Sequence, residues 1–200
     1  MRVIIDTCSL LSLVRYYLPF DKQFALFNFI KTKIKLGEII IIDAVYNECE
    51  YFSKGIVLES LSYLKDKGFK KENNIPVNTE DIIAPSPAKF LRMVDNQFTI
   101  GVIKNNLDNS EYEQQKGEFM ESADMKMILY LLNLKSNTTA PLLFDSDIDD
   151  RVVIVTEETS SANDGKPFHK IPVICKILNI PTMTLPQLLA EYDIIDILFK

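Results

Sequence analysis

The chain has no tryptophan and a single histidine, His169. Chemistry that needs two imidazoles, one acid and one base, is thereby excluded, and any His base would have to be His169 alone. Cysteine is scarce as well. Cys8, Cys49 and Cys175 are odd in number and far apart, so they match neither a zinc spacing nor a disulfide framework. That usage suits a reduced, cytoplasmic protein. Long apolar runs are missing. The run from Glu38 to Ile42 is far too short to cross a bilayer, and Asp6 interrupts the first apolar stretch too early for a signal peptide. No membrane partner is expected. A surplus of positive charge is missing too: 22 basic residues face 28 acidic ones, for a net charge of −6. A broad basic nucleic-acid surface is therefore not expected, although acids that bind cations remain open.

What is present is a core. Of the 200 residues, 47% are hydrophobic, enough for one α/β domain spanning residues 1–200. Short runs of β-branched residues alternate with helical patterns, and no internal repeat is visible. The first run, Val3-Ile4-Ile5 before Asp6, reads as a buried parallel strand. Glu38 to Asp43 and Arg151 to Glu158 read the same way, and Ile180 to Leu185 as a short fourth strand. Helices are expected over 10–18, 22–36 with Gly37 as its stop, 44–52, 54–67, 88–98, 122–134, 173–178 and 186–192. Residues 70–74 read as a loop, and 99–116 as a polar and partly mobile stretch. The segment of about 68–117 is expected to be a variable insertion. The apolar tail Ile194 to Phe199 would pack on the core or supply an interface, such as that of a homodimer.

Carboxylates punctuate this pattern. The first strand ends at Asp6, and the third ends in Glu157 and Glu158. In open α/β sheets, ligands bind beyond the carboxyl ends of strands. At about 100° per residue, Glu48 falls on the face of Val45 and Cys49, with Glu50 pointing away. Asp124 falls close to Ile128 in the same way. Each acid has an ordinary explanation as a cap or a stripe edge. Together they suggest a hard-cation site for Mg²⁺ or Mn²⁺, and metal-assisted phosphodiester hydrolysis by an activated water. The acids of Asp145 to Asp150 resemble a calcium loop, but Asp150 stands where that loop needs glycine. They read as a solvated acidic turn.

The ordered set Val3-Ile4-Ile5-Asp6-Thr7-Cys8-Ser9-Leu10, Val45-x-x-Glu48, Ser122-Ala123-Asp124-x-x-Met127-Ile128 and Val155-Thr156-Glu157-Glu158 resembles the PIN-domain proteins, known as toxin ribonucleases of prokaryotic toxin–antitoxin pairs. The stretch Lys170-Ile171-Pro172-x-Ile174-Cys175 also looks like an uncharacterised bacterial PIN-like branch. The resemblance implies a three-layer α/β/α fold with a central parallel sheet of about four to five strands. It implies that Asp6, Glu48, Asp124 and Glu158 are metal-binding catalytic acids, with Glu157 the neighbouring alternative. The family's last acid usually comes as Thr-x-Asp, and here the longer Glu158 stands there. Thr7 and Ser9 match hydroxyl positions that orient an acid or a phosphate, and Thr156 and Lys170 would contact substrate. RNA is the implied substrate and an antitoxin the implied protein partner. Lys166, Lys170 and Lys176, which follow the last acid, are candidates for a local basic rim. A haloacid-dehalogenase-type phosphatase would need a second aspartate where Cys8 stands. The remaining alternative is a catalytically degenerate PIN-like module that binds protein.

Overall fold

A computed structural model describes residues 1–138, 151–160 and 165–194. The acidic turn Asp145 to Asp150 and the tail from Ile195 onward lie outside the described residues. In chain order the elements are β1 (Arg2–Ile5), α1 (Thr7–Ser12), α2 (Ala25–Lys35), β2 (Ile39–Ile40), α3 (Asp43–Tyr51), α4 (Ile56–Ser60), α5 (Lys67–Asn73), α6 (Pro87–Asn96), α7 (Gly101–Lys104), α8 (Asn109–Glu121), α9 (Ala123–Thr138), β3 (Val152–Val155), α10 (Ile171–Ile177), β4 (Thr182–Met183) and α11 (Leu185–Glu191). The class is the expected one, α/β with a parallel sheet flanked by helices. Among the described residues no helix is long and apolar enough to cross a membrane.

The described residues divide into two compact units. The first takes residues 1–80, 151–157 and 182–194. It holds a four-stranded sheet in the order β2-β1-β3-β4. Every pairing is parallel, with Ile4 beside Ile40 on one side and Ile154 on the other. Val3, Ile4, Ile5 and all of β3 are buried, as expected of continuous apolar runs in a sheet covered on both faces. From β1 the chain moves to β2 on one side, and β3 and β4 lie on the other. The strand order therefore reverses between β1 and β3. Such a reversal opens a crevice at the carboxyl ends of the two strands, where ligands of open α/β sheets bind. Asp6 and Thr156 are the next residues after those ends.

Several local signals worked as expected. Gly37 ends α2 with a positive φ of 68°. Its N–H donates to Ile34 O and that of Glu38 to Lys33 O, a paired closure that needs a left-handed residue. Other boundaries differ. The first helix begins at Thr7, directly after Asp6, and runs on through a wider turn over Leu13–Tyr17. The helix expected over 54–67 is α4 followed by a short 3-10 turn, Ser62–Leu64. Residues 70–74, expected as a loop, mostly belong to α5. The side chain of Asp66 caps that helix by accepting from the Phe69 N–H at 2.7 Å, a favourable N-terminal bond.

The second unit takes residues 81–138, 158–160 and 165–181 of those described. It contains α6 to α10. Here the polar stretch 99–116, expected to be irregular, forms α7 and most of α8. Asp108 and Glu111 make a reciprocal capping box at the start of α8, at 2.8 and 3.0 Å. Such a box satisfies two otherwise orphaned N–H groups and fixes where the helix begins. Two segments are tied by an antiparallel bridge between Thr99 and Phe168. Ile100 N–H donates to Pro167 O at 2.7 Å, and His169 N–H to Phe98 O at 2.8 Å.

Lys116 forms an ion pair with Asp95 at 2.6 Å, and Tyr112 OH donates to the same carboxylate at 2.9 Å. Burial works to raise the Asp95 pKa, but the Lys116 and Tyr112 hydrogen bonds and the Lys116 and Lys104 charges outweigh it. The carboxyl titrates below its ordinary 3.8. The same pair, against burial, lifts Lys116 above 10.5. Asp95 thus adds stability that is complete above the ordinary carboxylate range and disappears as pH falls through the lowered value. Lys116 adds stability that disappears as pH rises past its own raised value. We expect Asp95→Asn to cost about 1 kcal/mol at pH 7, a figure kept small because solvent screens a partly exposed pair. Urea melts at decreasing pH should show the gap to the parent protein closing below about pH 4. A gap unchanged down to pH 2 would refute the assignment.

Candidate active site

The crevice of the first unit is built from the first residues beyond β1 and β3. Asp6 is 5% exposed, and a carboxylate so placed needs hydrogen-bond donors. Two are next to it. Thr156 Oγ1 donates to Asp6 Oδ2 at 2.8 Å, and the Cys8 thiol donates to the same oxygen at 2.6 Å. Asp6 N–H donates to Val155 O at 2.9 Å, which continues the β1–β3 ladder and holds the acid at the sheet edge. The Glu157 N–H in turn donates to Cys8 Sγ at 3.2 Å.

Glu48 lies on α3, half-buried, with Glu50 exposed on the other side and Val45 and Cys49 buried. That is the face expected from the helical period. Phe52, the last residue of the helix expected over 44–52, is exposed, and α3 ends at Tyr51. Thr7 Oγ1 donates to Glu48 Oε2 at 2.6 Å. One residue, Thr7, therefore follows Asp6 in the chain and holds Glu48 by its side chain. Cys49 reports both acids. Burial, then the Glu48 charge, then the Asp6 charge push its thiol pKa up to about 12. The Cys8 thiol is also pushed up to about 12, first by burial and then by Asp6. Both stay protonated at neutral pH, so neither is a thiolate nucleophile. Cys8 is an acid-orienting donor that sequence reasoning missed. Ser9 is fully buried, and its hydroxyl has no hydrogen-bond partner among the described residues.

The two acids after β3 diverge. Glu157 Oε1 accepts from the Leu185 N–H at 2.6 Å, at the first residue of α11. It is committed to a helix N-terminus, where an anion is favourable. Glu158 belongs to the second unit. Its Oε1 accepts from Lys170 Nζ at 3.2 Å, and its Oε2 faces the Ile171 N–H at 3.4 Å, at the start of α10. Lys170 is thus an ion-pair partner of Glu158.

Asp124, also in the second unit, is half-buried in the first turn of α9. Burial, followed by the Asp124 charge, lifts the Cys175 thiol to about 12. Asp124 lines a cavity of about 450 Å³ together with Phe119, Lys166, Phe168, His169 and Lys170. Lys176, the third lysine of the expected rim, is exposed on α10 and is not in that lining.

The chain matches no family model, no curated protein and no solved structure. The reading of the site therefore stands on its own chemistry.

Among the described residues, no three His, Cys, Asp or Glu side chains form a group that could hold a metal ion. Mg²⁺, however, keeps several waters and commonly takes only one or two protein carboxylates. Asp6 and Glu48 are hard oxygen donors, each fixed by a hydroxyl at the sheet edge. That donor set fits Mg²⁺ or Mn²⁺.

Proposed function

We propose that the chain is a metal-dependent endoribonuclease, a PIN-like hydrolase of phosphodiester bonds and the toxin of a toxin–antitoxin pair. One observation carries the hydrolase reading. Asp6, buried at the point where the strand order reverses, is held by Thr156 and Cys8, and its neighbour Thr7 holds Glu48. Two carboxylates near enough that both charges act on the Cys49 thiol repel each other and favour a cation. Asp6 and Glu48 would hold Mg²⁺ or Mn²⁺. When bound, such a cation acidifies a water and neutralises charge on a phosphoryl group. Thr156, Cys8 and Thr7 aim the two acids, because each donates a hydrogen bond to a carboxylate. The protonated thiols leave no covalent route through cysteine. The choice of RNA, the roles of Asp124 and Glu158, and an antitoxin partner rest on the family resemblance.

The test is an assay of purified protein with single-stranded RNA and Mn²⁺. Internal cleavage that EDTA abolishes is the expected result, and cleavage that proceeds fully in EDTA refutes the reading. A second measurement needs no substrate. Mn²⁺ at about 100 times its Kd adds about 2.7 kcal/mol to the folded state, which raises Tm by roughly 5–10 °C in a chain of this size.

A catalytically degenerate protein-binding module is the second reading. It is favoured by Glu158, whose two oxygens meet Lys170 and the Ile171 N–H. A Tm indifferent to Mn²⁺ would select it.

A further inference from the structure

The cavity of the second unit has features that metal chemistry does not use. Its volume of about 450 Å³ falls in the range of small-ligand sites. One wall is aromatic: Phe168 and Phe119 both line the cavity, stacked at 4.2 Å with their planes 4° apart, while Tyr112, tilted and 5.9 Å from Phe168, is not in the lining. Phe168 covers one face of Phe119. Phe119 is only half-buried and lines the cavity; the face that Phe168 leaves uncovered is where a further planar ring would stack. The wall is pre-formed, because the bridge between Thr99 and Phe168 fixes one of its strands. Opposite in character is the polar part of the lining, where exposed Lys166 and half-buried His169 stand close in sequence to Phe168, with the acids Glu118 and Asp124 in the same lining.

A planar ring that stacks on an aromatic pair and carries an anion a few ångströms away is the chemistry of a nucleotide. Bases of any identity stack on aromatic side chains, and lysine meets phosphate as a point charge. We propose that this cavity seats one nucleotide unit, its base on Phe119 and its phosphate between Lys166 and His169. The inference deepens the ribonuclease reading and rests on it for the source of the nucleotide, a stretch of single-stranded RNA.

The experiment is ligand-detected NMR titration of the full chain in EDTA, so that neither metal nor cleavage enters. The probes are adenosine and uridine monophosphates, adenosine, inorganic phosphate and a five-nucleotide RNA. Both monophosphates should bind, adenosine and phosphate alone should bind more weakly, and the short RNA should displace the monophosphates. Phe119→Leu keeps apolar volume and removes the ring. It should weaken monophosphate binding about fivefold or more, as expected for one lost stack. Lys166→Ala changes an exposed side chain and should weaken the monophosphates while leaving adenosine unaffected. Monophosphate affinity that ignores both substitutions overturns the site, as does phosphate binding as tightly as the nucleotides. Monophosphates that the short RNA cannot displace would overturn the RNA source. Cleavage without nucleotide binding removes this inference and leaves the nuclease. Nucleotide binding without cleavage does the reverse.

Discussion

Asp6→Asn is expected to reduce Mn²⁺-dependent RNA cleavage by about 100-fold or more, a loss of about 2.7 kcal/mol in transition-state stabilisation. The substitution is nearly isosteric. It removes one negative charge from a crevice where the acid is 5% exposed, and leaves a carbonyl oxygen that still accepts from Thr156. Relieving a buried charge that neighbours Glu48 should not destabilise the fold. In EDTA the variant should melt at or above the Tm of the parent protein, because strained sites often cost stability. With Mn²⁺ it should lose the upward shift. This combination, activity lost with stability kept, separates a catalytic acid from a structural one. A variant that unfolds, or that cleaves at the parental rate, would show that Asp6 is a helix cap and no more.

The second large effect concerns packing. Phe98→Ala should destabilise the protein by about 3–5 kcal/mol, lowering Tm by roughly 6–20 °C. Phe98 is fully buried and meets Phe90 edge to face, with ring centroids 5.7 Å apart. Truncation removes that contact and leaves a cavity. The backbone at the same residue accepts from His169 N–H, so the bridge to 167–169 rests on this packing. Phe98→Leu, which fills most of the space, should cost far less. Thermal melts of the two variants decide it, and a Phe98→Ala protein within 2 °C of the parent would refute the role.

The strands were readable because their signal is local. Val3-Ile4-Ile5 and Val152 to Val155 are β-branched and uniformly apolar, and both are buried throughout. Glu48 was readable for a similar reason, since the helical period alone turns it toward Val45 and Cys49. The α8 helix was not read from its apolar stripe because it has little of one: only Tyr112 is buried on it. Its Asp108–Glu111 capping box was present in the sequence and was the better signal. Long-range partners left no local trace. Nothing near Glu157 announces that it will meet the Leu185 N–H 28 residues later. Nor does Phe119 announce that it will stack on Phe168.

The pairing of β1 with β3 has a consequence for synthesis on the ribosome. Ile5 lies beside Val155, 150 residues further on, whereas β2 follows β1 closely. At 5–20 residues per second, β1 would wait roughly 7–30 s for its second neighbour. During that interval Val3, Ile4 and Ile5 present an unpaired apolar edge, the kind that pairs wrongly with other chains. A nascent chain halted before residue 151 would keep that edge for good.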